Sequence, residues 1–136
     1  MKVLLVKPNN LSDHIQPSLG LAYIAQGIRE RHEVKILDCI KEGINPADFG
    51  PKVLKNYCPD LIGIQCYSFD VGSVRRLLKA IKEWDSSIVT VVGGAHISST
   101  PIPAFENLKE NMDFAFSGEA EVSFSMFIDL LDSYQE

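Results

Sequence analysis

Val89-Thr90-Val91-Val92-Gly93-Gly94-Ala95-His96 is the stretch whose reading decides the fold. Valine and threonine are strand formers, and Thr90 alone interrupts the apolar run. Such a strand is expected to be covered on both faces, as in a parallel sheet. Two adjacent glycines end it. Glycine serves where a backbone must take a positive φ or let another group come close. Ligands of open α/β sheets collect beyond the carboxyl ends of the strands, so this tip is expected to border a site.

The segments on either side fit that frame. Upstream, Asp60–Tyr67 reads as another strand buried on both sides. Ser68-Phe69-Asp70 follows as a loop, with Asp70 placed to cap an amphipathic helix. That helix is expected to bury Val71, Val74, Leu77, Leu78, Ile81 and Trp84 and to expose Arg75, Arg76, Lys79 and Lys82. Downstream, Gly93–Ser99 reads as a loop, and Pro101 and Pro103 introduce a short helix around Ala104–Glu110. Asp113–Phe116 reads as a short strand. Ser117-Gly118-Glu119-Ala120-Glu121 starts a final helix carrying Val122, Phe124, Met126, Phe127, Leu130 and Leu131.

The first half repeats the alternation. Lys2–Lys7 is a short apolar strand ended by Pro8-Asn9-Asn10, and a polar loop from Leu11 to Pro17 leads to Ser18, a good N-cap. The next helix places Leu21, Ile24, Ala25 and Ile28 at core-facing spacing, while Gly20, Tyr23 and Gly27 share a neighbouring face. A glycine inside a helix costs ~1 kcal/mol relative to alanine, so close packing or a ligand is expected to compensate. Glu33–Cys39 is a strand with Val34, Ile36 and Leu37 inward. Pro46–Asn56 is a weak helix broken at Gly50-Pro51. Successive β-then-α alternations with short loops predict one α/β domain over residues 1–136. Its fold is expected to be a doubly wound, five-stranded parallel sheet in the flavodoxin-like order 2-1-3-4-5.

Composition removes several function classes. A 136-residue chain suits one domain. Its net charge of −5, without a basic stripe, argues against a nucleic-acid partner. No apolar run approaches the ~18–20 residues of a membrane span, and Met1–Pro8 is too short for a signal peptide. Cys39, Cys58 and Cys66 are odd in number and lack CxxC spacing, which suits a reducing cytoplasm. GxxxxGK[ST] is absent, and no GxGxxG follows the first strand. The acidic residues a phospho-receiver needs are replaced by Lys7-Pro8-Asn9-Asn10 and Cys66-Tyr67-Ser68. Asn9–Ser18 also lacks the hydroxyl- and glycine-rich character of a flavin-phosphate loop. No nucleophile or acid–base constellation is visible, so a small nucleotide-binding enzyme acting alone is the weakest reading.

Pro17-x-x-Gly20-Leu21-Ala22-Tyr23-Ile24-Ala25, Val34-x-Ile36-Leu37-Asp38, Val92-Gly93-Gly94-Ala95-His96 and Asp113-x-x-x-x-Gly118-Glu119-x-Glu121 occur in that order. Together they resemble the N-terminal cobalamin-binding domain of B12-dependent radical SAM enzymes, across nearly the whole chain. The resemblance implies a domain that holds the corrin over the strand ends, with the nucleotide tail entering near the glycine pair. Chemistry, methylation among the options, would take place in a radical SAM barrel following in cis, which would use S-adenosylmethionine and a 4Fe-4S cluster. Cofactor-binding residues implied are Asn9, Pro17, Gly20, Ser68, Phe69, Gly93, Gly94, His96, Gly118 and Glu119.

The departures are also informative. Better-known B12 domains carry DxHxxG after the first strand, whereas here Asp13-His14 are adjacent and no glycine falls three residues later. His14 as a cobalt ligand is weighed against a solvated loop histidine, which is the default. The three cysteines are too dispersed for a CxxxCxxC cluster motif, so the barrel is expected to lie outside this chain. Each site residue also has a plainer reading. Gly93-Gly94 is then a tight turn, Ser68 an end-of-strand cap and His96 a solvent-facing loop histidine. Gly118-Glu119-x-Glu121 is a helix start favoured by the dipole. The rival function is a flavodoxin-like partner-binding or regulatory domain without cofactor. A cleft above Gly93-Gly94 filled by bulky side chains would favour that rival.

Overall fold

The structure, a computed structural model, describes residues 1–10 and 16–135. Five strands form one sheet in the order β2-β1-β3-β4-β5, every pair parallel. In chain order the elements are β1 (Lys2–Lys7), α1 (Leu19–Ile28), β2 (Glu33–Asp38), α2 (Pro46–Phe49) and α3 (Lys55–Tyr57). After these come β3 (Leu61–Gln65), α4 (Val71–Trp84), β4 (Val89–Gly93), α5 (Ala95–Ser99), α6 (Pro101–Leu108), β5 (Phe114–Ala115) and α7 (Glu121–Gln135). The doubly wound order expected from the sequence is the one observed.

Register turns the apolar runs into two faces. Val3 and Leu5 of β1 lie beside Leu61 and Gly63 of β3, and Leu61, Gly63 and Gln65 lie beside Val89, Val91 and Gly93 of β4. That face is covered by α1 and α7 through Leu21, Ile28, Phe124 and Ile128. The alternate residues Leu4, Val6, Ile62, Ile64 and Val92 point the other way. They pack against Phe49, Leu54, Val74, Leu77, Leu78 and Ile81 of the α2–α3 segment and α4.

Thr90, the lone polar residue of the β4 run, is fully buried and holds the sheet edge. Its hydroxyl donates to the Asn111 carbonyl at 2.7 Å, and its N–H donates to the Asp113 carboxylate at 2.8 Å. Lys82 Nζ donates to the same carboxylate oxygen at 2.7 Å and to the Ile88 carbonyl at 2.6 Å. Lys82 is therefore mostly covered and is not part of the solvated face expected of α4. Burial raises the Asp113 pKa, but the Lys82 and Thr90 hydrogen bonds outweigh it and hold the carboxyl below the usual carboxylate range.

Several expectations are corrected. Ile36 is 43% exposed, and Leu37 is the buried residue of β2, an edge strand. Trp84 is half-exposed, but its indole covers Gly50, where an added Cβ would sit 2.4 Å from the ring. The suspected break at Gly50-Pro51 is thus a π-helical stretch, Gly50–Leu54, that seats the indole and joins α2 to α3. Asp70 does not cap α4 with its side chain. It is buried and accepts from the Tyr67 N–H at 3.0 Å and Asn10 Nδ2 at 2.9 Å, tying the β3 loop to the β1 loop. The loop after Gly93-Gly94 contains the short helix α5. Prolines occupy the first turn of α6, where a missing N–H is harmless. Both β3 and β5 are shorter than expected, and α7 begins only at Glu121.

Candidate functional site

Where the α1/α7 face reaches the carboxyl ends of the strands, the covering stops. A cleft of about 970 Å³ opens there, at the large end of the usual range for ligand sites. The β1, β3 and β4 tips, the start of α1 and the loop before α7 all border it. Seven of the sequence-predicted residues line it: Pro17, Gly20, Phe69, Gly93, Gly94, Gly118 and Glu119. Asn9, Ser68 and His96 lie beside it instead. Asn9 Nδ2 donates to the Ile44 carbonyl at 3.3 Å and to Asn45 Oδ1 at 3.1 Å, and the Asn9 carbonyl accepts from Ser73 Oγ at 2.6 Å. Ser68 Oγ and His96 Nδ1 are 3.2 Å apart, and His96 Nε2 is buried without a partner. His14 lies outside the described residues.

The glycines divide by what holds them. Gly94 has φ +111°, and a Cβ there would stand 2.9 Å from the Cys66 carbonyl oxygen. Its own backbone turn demands glycine. Gly118 has φ +81° and faces open space, and its N–H donates to Ser98 Oγ at 2.8 Å, linking the two loops. Gly93 and Gly20 have neither constraint. A Cβ at Gly93 would make ordinary contact with Phe116 at 3.7 Å, and one at Gly20 would come only within 4.0 Å of Ser18 Oγ. Nothing in the protein requires these two positions to be bare, yet both line the cleft, Gly20 inside a helix that it weakens.

Sequence reasoning passed over several lining residues. Ser18 caps α1 as expected, its Oγ accepting the Leu21 N–H at 3.2 Å, and it also hydrogen-bonds Gln65 Oε1. Gln65 belongs to the cleft only because parallel register sets it beside the bare Gly93. Tyr67 and Phe69 stack with ring centroids 5.6 Å apart and planes 13° off parallel. Phe69 is 71% exposed at the rim. An exposed aromatic pair at a cleft mouth marks a surface made for contact.

The thiols differ in exposure, Cys39 and Cys66 being buried and Cys58 exposed. Burial pushes Cys39 and Cys66 up to about 12, with Asp38 and Asp70 adding to it respectively. Among the described residues no group of three or more His, Cys, Asp or Glu side chains gathers as a metal site, and no helix is long and apolar enough to cross a membrane.

The profile of the B12 binding domain family matches residues 11–128. An uncharacterised methyltransferase of Pyrococcus horikoshii is 33% identical over 145 residues, covering 100% of this chain and 30% of that protein. The cytidylyl-2-hydroxyethylphosphonate methyltransferase of Streptomyces wedmorensis is 34% identical over 154 residues, covering 96% and 28%. The chain thus spans less than a third of the curated relatives it matches. In fold it is similar to the radical S-adenosylmethionine methyltransferase TsrM of Kitasatospora setae, solved with cobalamin and a [4Fe-4S] cluster. That likeness has a TM-score of 0.82 at 21% identity, over 97% of this chain and 24% of TsrM. With the matched profile spanning most of its length, the chain belongs to the B12 binding domain family.

Proposed function

We propose that this chain holds cobalamin in the cleft over the strand ends and presents it to a radical SAM domain of the same polypeptide, for methyl transfer, in the cytoplasm. The observation that carries the reading is the pair Gly20 and Gly93. A Cβ at either position would meet nothing closer than ordinary van der Waals contact, so protein packing does not account for the bare backbone that both bring to the cleft. The open cleft favours this reading over a partner-binding domain without cofactor.

The residues fit the group. Leu19, Tyr67 and Phe69 give an apolar rim for a broad macrocycle. Gly93, Gly94 and Gly118 bring main chain within reach of amide and phosphate groups, and Pro17 and Glu119 close the two sides. Ser68 and His96 brace each other behind the Gly93-Gly94 turn, and Asn9 anchors the loop after β1; we assign these three a supporting role. When bound, cobalamin supplies a cobalt centre able to carry and pass on a methyl group; this chain binds, orients and shields it. Support for a neighbouring domain comes from α7, where Val122, Met126, Leu130 and Tyr134 recur every fourth residue and are all exposed. The free cysteines support the cytoplasmic placement.

Mixing the purified chain with hydroxocobalamin and passing it over a gel-filtration column tests the reading. Corrin absorbance that co-elutes with the protein is the expected result. A colourless protein peak at cobalamin concentrations well above micromolar would count against it.

A further inference from the structure

We propose that Asp70 and Ser73 are positioning residues for the cofactor: they bridge the loops after β1 and β3 and fix these two lips of the cleft before cobalamin arrives. This rests on the cobalamin reading and deepens it.

The need for such a brace follows from the strand order. β1 and β3 form the switch point of a 2-1-3-4-5 sheet, where one chain departs toward α1 on one face and the other toward α4 on the opposite face. Their paired register ends at Val6 and Ile64, and past it no strand pairing holds the two loops together. Asn10 lines the cleft on the β1 side, and Tyr67 and Phe69 line it on the β3 side. Lips free to spread would have to be ordered on binding, at a cost in affinity.

Two side chains span the gap. Asp70, at the N-cap of α4, and Ser73 stand about one helical turn apart, and both are buried. One Asp70 carboxylate oxygen accepts from Asn10 Nδ2 at 2.9 Å and the other from the Tyr67 N–H at 3.0 Å, so a single group holds both lips. Ser73 Oγ donates to the Asn9 carbonyl at 2.6 Å. Neither side chain is explained by the helix it starts, since Asp70 makes no side-chain cap and the Ser73 hydroxyl is spent on another loop. A carboxylate suits the place because it only accepts. An amide of the same shape would turn one donor toward another. Asn9 Nδ2 extends the anchorage to the Ile44 carbonyl and Asn45 Oδ1, so Asn9-Asn10 is held from two sides. On the other lip, the fixed Tyr67 main chain carries the stack of Tyr67 on Phe69.

Equilibrium dialysis of hydroxocobalamin against the unaltered chain and three variants is the test, with urea midpoints recorded for each. Asp70→Asn should bind about tenfold more weakly or worse, as expected when a hydrogen bond to a charged group gives way to a mismatched donor. Ser73→Ala should bind severalfold more weakly. Asp113→Asn makes the same change in the edge clamp, outside the cleft, and should keep the affinity of the unaltered chain while losing some stability. Visible circular dichroism of the bound corrin, which reports how the macrocycle is seated, should change in Asp70→Asn and not in Asp113→Asn. Undiminished binding by Asp70→Asn, or an equal loss in Asp113→Asn, overturns the brace and leaves the cobalamin reading standing. An unaltered chain that binds no hydroxocobalamin removes both. Should Asp70→Asn fail to fold, Ser73→Ala decides by itself, and undiminished affinity there overturns the proposal.

Discussion

The two faces of this sheet come from the same strands but end differently. On the α2–α3/α4 face, Val6, Ile64 and Val92 carry hydrophobic packing to the strand tips, where Cys66, Ile97 and Ala104 continue it. On the α1/α7 face, packing is full at Val3, Leu61 and Ile128 and over Gly63, where Leu5 and Phe124 close in, then gives way at Gln65 and Gly93. One side is built for stability, and the other stops short to leave room. Strand alternation is enough to separate the two roles, because neighbouring residues serve opposite faces.

The largest expected effect tests that contrast with one chemistry in two places. Leu78 is enclosed on the filled face, whereas Leu21 borders the cleft. Leu78→Ala should lower stability by ~3–5 kcal/mol, since transfer and cavity terms both apply. Leu21→Ala should cost only about 2 kcal/mol, because its space merges with a cleft already present. Urea unfolding measures both, and equal losses would break the comparison.

Within the open face the glycines should separate next. Gly94→Ala forces a Cβ against the Cys66 carbonyl at positive φ and should cost about 2 kcal/mol. Gly93→Ala should stay within ~1 kcal/mol of the parent, and a gain is allowed because the unfolded chain loses freedom. A heavy loss at Gly93 would mean that protein packing, not a ligand, keeps it bare.

The edge clamp gives a smaller, pH-dependent effect. Asp113 has its pKa depressed by Lys82 and Thr90, so its stabilisation is complete above the ordinary value of ~3.9 and fades as pH falls through the depressed one. Asp113→Asn should lose about 1 kcal/mol at neutral pH and flatten the acid limb of the stability curve. An unchanged acid limb would remove the clamp from the account.

Thiol chemistry should distinguish surface from core with little effect on stability. At pH 8.5, near the ordinary thiol value, iodoacetamide should label exposed Cys58 and spare Cys39 and Cys66, which are held up to about 12. The stabilisation tied to those raised values is whole below ~8.5 and declines as pH climbs toward 12. Rapid native labelling of Cys66 would show the β3 tip to be open.

Much of this was legible in the residues. Central strands announce themselves as apolar runs, and Ser18, Gly94 and the helical spacing of Val74, Leu77, Leu78 and Ile81 read directly. What escaped depends on distant parts of the chain. Trp84 looked like a core residue because its spacing suits one, but Gly50 receives it from another element. The order 2-1-3-4-5 already puts β2 at an edge, but apolar character alone does not say whether Ile36 or Leu37 faces the core. Gln65 reads as an ordinary strand end until register sets it beside Gly93, and Ser68, the more conspicuous hydroxyl, lies next to the cleft and not in it.

The central claim is that the bare position at Gly93 serves a corrinoid. Titrating hydroxocobalamin into the unaltered chain and into Gly93→Leu, with urea midpoints recorded for both, tests it most directly. The account predicts binding to the first, at least tenfold weaker binding to the second, and similar folding midpoints. Equal binding by both proteins would contradict it.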